Sequence, residues 1–111
     1  MERVEESIRN SMTPLVIPSM SVCAEIYVRG LVQGVCYRAF TREAANGLGL
    51  SGYCRNLPDG RVEVSVEGDR VVIERLIERL RVGPPRGQVE DLEIVWKPAE
   101  NRGGDFSIRY D

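Results

Sequence analysis

Strict alternation of apolar and polar side chains recurs along this chain, and between its runs lie two stretches at helical spacing. Ala24, Ile26 and Val28 alternate with Glu25, Tyr27 and Arg29. Val62, Val64 and Val66 do so later, followed by Leu92, Ile94 and Trp96, and finally by Phe106, Ile108 and Tyr110. Period two marks a strand with one face on a core. Tyr37, Phe40, Ala44 and Leu48, and then Ile73, Leu76, Ile77 and Leu80, fall instead at the spacing of amphipathic helices. Turn residues fix the order. Gly30-Leu31-Val32-Gln33-Gly34 separates the first strand from the first helix, and Gly47 and Gly49 can end that helix. Pro58-Asp59-Gly60 joins Leu50–Leu57 to Arg61–Glu67 as a hairpin. Asp69 can cap the second helix, and Gly83-Pro84-Pro85 stops it. The order β-α-β-β-α-β plus a terminal strand predicts an α+β fold, the ferredoxin-like split β-α-β sandwich. Two helices then cover one face of a mainly antiparallel four- to five-stranded sheet.

Residues 1–21 differ from the rest. Val4, Ile8 and Met12 sit at helical spacing, but Thr13-Pro14 and Ile17-Pro18 interrupt it. They are expected to form a flexible N-terminal extension, with the domain spanning 22–111. Met20, just before the first strand, is a second candidate start of translation. A chain of 111 residues is about one domain, able to bury roughly two thirds of its unfolded surface.

Composition removes whole classes of chemistry. There is no histidine, which excludes Ser/His and Cys/His nucleophile pairs, imidazole bases and histidine-bearing zinc sites. Lys and Arg total 15 against 17 Asp and Glu, for a net charge of −2, so no polyanion-binding bias is present and a nucleic-acid partner is not expected. Three cysteines, Cys23, Cys36 and Cys54, are too few for a four-cysteine zinc site or a disulfide scaffold. No long apolar run and no apolar leader is visible, so a cytoplasmic protein with no membrane partner is expected.

The segment Gly30 to Arg38 stands out. Two glycines four apart permit unusual backbone torsions and clear side chains from the concave side of a loop. Successive N–H groups followed by a helix N-terminus can converge on one anion. Arg38 falls in the first turn of that helix, where the dipole disfavours a cation unless an anion lies between them. The spacing matches neither a Walker A loop nor a dinucleotide fingerprint, and a tight turn with a surface arginine is the commoner reading of such a pattern. Asn56, at the end of the second strand, is equally a common turn residue. In a split β-α-β sheet, however, strands one and two are parallel with strand three between them. Their C-terminal ends share an edge, so Asn56 and the loop can share a pocket.

These residues also carry a resemblance. The stretch Val28-Arg29-Gly30-Leu31-Val32-Gln33-Gly34-Val35-Cys36-Tyr37-Arg38 resembles the signature of the acylphosphatase family, a glycine, VQGV, an aromatic and an arginine. A second match is Gly49-Leu50-Ser51-Gly52-Tyr53-Cys54-Arg55-Asn56 with Asp59-Gly60-Arg61-Val62-Glu63-Val64; Glu67-Gly68 and Gly83-Pro84-Pro85 form a looser third. Departures are mild: Tyr37 stands where phenylalanine is usual, Tyr53 where tryptophan is common, and Cys54 where a small aliphatic is common. The resemblance implies hydrolysis of the carboxyl-phosphate bond of small acyl phosphates. It implies phosphate binding by Gly30, Leu31, Val32, Gln33, Gly34, Val35, Cys36, Tyr37 and Arg38, with Arg38 and Asn56 catalytic, Asn56 orienting the attacking water. No metal and no cofactor are implied. The expected partners are a small acyl phosphate and inorganic phosphate, acted on by a monomer.

Cys36 is not read as a nucleophile, because cysteine phosphatases place five residues between cysteine and arginine and here only Tyr37 intervenes. Two rival functions share the fold. An RNA-recognition domain needs aromatic and basic residues on its central strands, whereas strand three carries two acids and no aromatic. A carbamoyl phosphate-handling domain of a larger maturation enzyme would keep the same two motifs, but it is expected within a much longer chain.

Overall fold

The computed structural model describes residues 21–110; of the expected N-terminal extension 1–21, residues 1–20, with the candidate start at Met20, lie outside the described residues, and Ser21 already belongs to the first strand. The elements follow the predicted order: β1 (Ser21–Leu31), α1 (Tyr37–Gly47), β2 (Ser51–Asn56), β3 (Val62–Asp69), α2 (Arg70–Val82), β4 (Gln88–Pro98) and β5 (Phe106–Arg109). They build a five-stranded sheet in the order β4-β1-β3-β2-β5. β1 pairs antiparallel with β3 and β4, and β2 pairs antiparallel with β3. Only β5 runs parallel to its neighbour, β2. The C-terminal ends of β1, β2 and β5 therefore emerge at one end of the sheet.

The core lies between the helices and the sheet face bearing Ala24, Ile26, Val28, Val62, Val64 and Val66, all completely buried. α2 buries Ile73, Leu76, Ile77 and Leu80 as its spacing predicts, and Asp69 caps it by accepting the Val71 N–H at 2.9 Å. α1 differs from expectation. Its buried stripe is Tyr37, Thr41, Ala44 and Ala45, and Phe40 is only half-buried. Counting from Tyr37, the helical repeat returns to the same face at Thr41, so Phe40 falls on the flank. Full burial of Thr41 is compatible with its hydroxyl, which donates to the Tyr37 carbonyl at 2.8 Å.

The opposite face of the sheet is less open than the alternating pattern predicts. Glu63, Ser65 and Glu67 of β3 are all under a tenth exposed. Glu63 is paired with the Arg55 guanidinium of β2, and the chain between β4 and β5 folds over Ser65 and Glu67. Glu67 accepts the backbone N–H groups of Glu100 at 3.0 Å, Asn101 at 2.6 Å and Arg102 at 3.1 Å. The Arg102 guanidinium reaches Glu67, the Ser65 hydroxyl and the Cys23 sulfur. Burial alone would raise the Glu67 pKa, but the N–H groups of Arg102 and Asn101 and the Arg102 guanidinium outweigh it and hold the carboxyl below its usual range.

A carboxyl depressed in the folded state contributes stability above its unfolded pKa and loses it as pH falls through the folded value. Glu67→Gln is therefore expected to cost about 2–3 kcal/mol at pH 7, and to leave a stability that changes less than the wild type's between about pH 5 and 3. Denaturant titrations at pH 7 and at the two ends of that range check this; equal stabilities at pH 7 would contradict it.

Candidate active site

The crossing from β1 to α1 begins with a break in the ladder. The register against β4 shifts between Arg29 and Gly30, and Gly30 has φ 128°. A Cβ there would collide with the Gln88 carbonyl oxygen and come within 2.8 Å of the Glu90 nitrogen. Pairing with β3 stops at Val28, and past the bulge only Gly30 and Leu31 still pair, with Val89 and Gln88 of β4, before the chain leaves the sheet. Gly30→Ala is expected to destabilise the fold by about 1–3 kcal/mol and to lower activity by displacing the loop. Thermal unfolding of that variant beside its turnover checks the link, and wild-type values for both would refute it.

Beyond Gly30 the loop is pinned from the side. The Gln33 amide donates to the carbonyl oxygens of Leu57 at 2.9 Å and Arg61 at 3.0 Å. Both acceptors belong to the β2–β3 turn, so Gln33 ties the loop to the segment directly after Asn56. Gly34 has φ 76°, and Cys36 is left-handed at φ 63° and ψ 25°. A non-glycine residue in that region is uncommon and strained, a condition that persists where the surroundings demand it. Cys36 is the N-cap of α1, yet no side chain caps the helix and its first turn carries no acid. The orphan N–H groups and the positive end of the dipole are left facing the loop.

At that point lies a cleft of about 340 Å3. Val32, Gly34, Cys36, Tyr37 and Arg38 line it from the loop and helix, Asn56 from β2, and Ile108 and Tyr110 from the chain end. Tyr37 contributes through its backbone, because its ring is in the core and its hydroxyl donates to the Leu80 carbonyl at 2.7 Å. Burial pushes that phenol well above its ordinary pKa. Beneath the cleft, Cys54 of β2 donates its thiol to the Arg38 carbonyl at 3.7 Å. Burial pushes this thiol up to about 12, against the opposing pull of Arg38 and Arg42. It is thus a neutral, inert group joining β2 to the first turn of α1.

The Asn56 amide presents the most telling feature. Its Oδ1 is buried and has no hydrogen-bond partner among the described residues. A buried acceptor left unpaired costs about 1–3 kcal/mol, and such groups concentrate where a fold holds a polar atom ready for something else. A larger groove, of about 480 Å3, runs between the helices past Phe40, Arg75, Glu78 and Arg79. Size favours it, but polar groups converge in the smaller cleft, and chemistry needs convergence more than volume.

Of the residues the sequence points to, Val32, Gly34, Cys36, Tyr37, Arg38 and Asn56 come together. Four are placed elsewhere. Gly30 borders a separate groove with Asp59 and Arg61, and Leu31 is 54% exposed at the end of β1. Val35 packs against the core, and the Gln33 side chain is spent on the hairpin. Sequence reading misses Ile108, Arg109 and Tyr110. Arg38 donates through Nη1 to the Arg109 carbonyl at 3.3 Å, and its Cζ lies 4.7 Å from the centre of the Tyr110 ring. The missing signal is the direction of β5: only its parallel pairing with β2 brings its C-terminal end to this cleft.

The motif pattern is also met as a whole. A model of the acylphosphatase family matches residues 24–108. The chain belongs to the acylphosphatase family. It is 48% identical over 87 residues to the acylphosphatase of Methanococcoides burtonii, across 78% of this chain and 91% of that one. The crystal structure of acylphosphatase from Bacillus subtilis is similar with a TM-score of 0.78 and 32% identity, covering 80% of this chain and 99% of the other. HypF of T. kodakarensis is also similar, with a TM-score of 0.72 and 32% identity over 83% of this chain, but the match takes in only 12% of that longer chain. Family membership makes this chain an enzyme of the acylphosphatase class, with the ferredoxin-like fold.

Proposed function

We propose that the cleft hydrolyses the carboxyl-phosphate bond of small acyl phosphates, with phosphate held by the loop and Arg38 and the attacking water oriented by Asn56. The observation that carries this reading is the unpaired Asn56 Oδ1 in the same cleft as the uncapped N-terminus of α1 and the Arg38 guanidinium. An acyl phosphate has a good leaving group, so catalysis reduces to holding the phosphoryl group, neutralising its oxygens and placing water in line. Backbone N–H groups and the planar fork of Arg38 supply the first two. The oxygen of a carboxamide accepts a hydrogen bond from water, which aims the water's lone pair at phosphorus.

The step balances without further groups. The water oxygen forms a new bond to phosphorus, the bond from phosphorus to the acyl oxygen breaks, and the carboxylate leaves with the electron pair. The water's protons pass to phosphate oxygens and solvent. No phosphoenzyme, metal or cofactor takes part in this reading. Because neither a guanidinium nor a carboxamide titrates near neutrality, kcat is expected to be nearly flat from about pH 6 to 8. A steep bell in that window, in a pH profile with benzoyl phosphate, would reveal a general base outside this scheme.

The catalytic unit in this reading is 22–111, with 1–21 as an extension. Every residue invoked comes from one chain, so a monomer suffices. Cys23, Cys36 and Cys54 are all free thiols, which fits a cytoplasmic location. No helix among the described residues is long and apolar enough to cross a membrane. A nucleic acid is not a partner in this reading. The net charge of −2 gives the chain no bias toward a polyanion. The match takes in 91% of the Methanococcoides burtonii acylphosphatase but 12% of the T. kodakarensis HypF, which favours the hydrolase over the carbamoyl-handling alternative. Carbamoyl phosphate offered beside benzoyl phosphate separates the two readings.

A further inference from the structure

We propose that Tyr110 is a positioning residue for Arg38, a role that lies outside the two sequence motifs and rests on the reading of Arg38 as the phosphate ligand. A guanidinium in the first turn of a helix is pushed away by the dipole, and its long side chain has many rotamers to lose. Something must hold its fork at the cleft if it is to meet phosphate in one orientation.

The chain end does so with two contacts. The Tyr110 ring lies 4.7 Å from the Arg38 Cζ, and the Arg109 carbonyl accepts from Nη1 at 3.3 Å. A ring under the guanidinium carbon holds the group through its π face and offers it no oxygen acceptor, so the N–H groups not spent on the Arg109 carbonyl stay available to phosphate. The ring therefore orients the fork without competing for the anion.

The platform is itself anchored. The Asn46 amide donates to the Phe106 carbonyl at 3.1 Å and accepts the Phe106 N–H at 2.8 Å. The Arg109 guanidinium lies 3.7 Å from the centre of the Tyr53 ring. β5 is thus fastened to the last turn of α1 at one end and to β2 at the other. Tyr110 is 79% exposed, so its contact with Arg38 is not a by-product of core packing.

The test compares Tyr110→Ala and Tyr110→Phe with wild type in the full chain. It uses benzoyl phosphate and acetyl phosphate as substrates, inorganic phosphate as inhibitor, and Arg38→Ala as control. In Tyr110→Ala, the phosphate inhibition constant and both KM values are expected to rise together, on the order of threefold to tenfold, with the melting temperature unchanged. Tyr110→Phe keeps the ring and is expected to restore affinity. An unchanged phosphate constant in Tyr110→Ala overturns the proposal. So does a defect confined to benzoyl phosphate, which would make Tyr110 an acyl contact, or a Phe variant as weak as Ala. If Arg38→Ala itself keeps phosphate inhibition, the reading of Arg38 fails first; if only the Tyr110 result fails, that reading stands.

Discussion

Arg38→Ala is expected to lower kcat/KM for benzoyl phosphate by about 10³- to 10⁵-fold, the range for removing an arginine that carries transition-state charge in phosphoryl transfer. Inhibition by inorganic phosphate should disappear with it, because phosphate and transition state draw on the same fork. The fold should survive. Arg38 touches the Arg109 carbonyl and an exposed ring, contacts worth about 1 kcal/mol or less at a surface. Arg38→Lys is expected to recover little, since a point charge with a compact, strongly hydrated head cannot make the bidentate contact. Phosphate inhibition retained in Arg38→Ala would show that the loop amides alone bind the anion.

Asn56→Ala should separate rate from affinity. The expected loss is about 10²- to 10³-fold in kcat, as for deletion of a single asparagine that stabilises a transition state, with the phosphate inhibition constant unchanged within about twofold. The variant should melt at or above the wild-type temperature. Asn56 Oδ1 is buried and unpaired, so the native side chain is held at a cost to folding that alanine relieves. Equal losses of rate and phosphate affinity would make Asn56 a binding or structural residue.

Much of the fold is legible in the sequence because period and punctuation agree. The α2 stripe from Ile73 to Leu80, the Asp69 cap and the alternating valines of β3 all appear as their spacing predicts. Two features are not legible, for the same physical reason. Glu63 and Glu67 read as solvent-facing partners of those valines, yet the Arg55 guanidinium pairs with Glu63 and the loop carrying Arg102 covers Glu67. Likewise Phe106, Ile108 and Tyr110 read as a strand, but alternation carries no information about the edge it joins or its direction. Both depend on where a loop lands, which is decided by contacts distant in sequence.

The candidate site divides along a similar line. Arg38 and Asn56 are brought to one cleft because β1 and β2 are parallel, a consequence of strand order that the pattern contains. Within the motif, spacing does not distinguish residues that face a ligand from those that hold the loop. Gly30 is fixed by the Gln88 backbone and Gln33 by the hairpin carbonyls. Their place in the motif reflects the shape of the loop, with no side-chain contact to the cleft.

The most direct test of the account is benzoyl phosphate hydrolysis, followed by ultraviolet absorbance in EDTA, for wild type beside Arg38→Ala and Asn56→Ala. Rapid turnover in the wild type that collapses in both variants, with phosphate inhibition lost only in Arg38→Ala, is the predicted result. A wild-type protein that binds phosphate but does not turn over the substrate would contradict it and assign the same loop to ligand binding or group transfer.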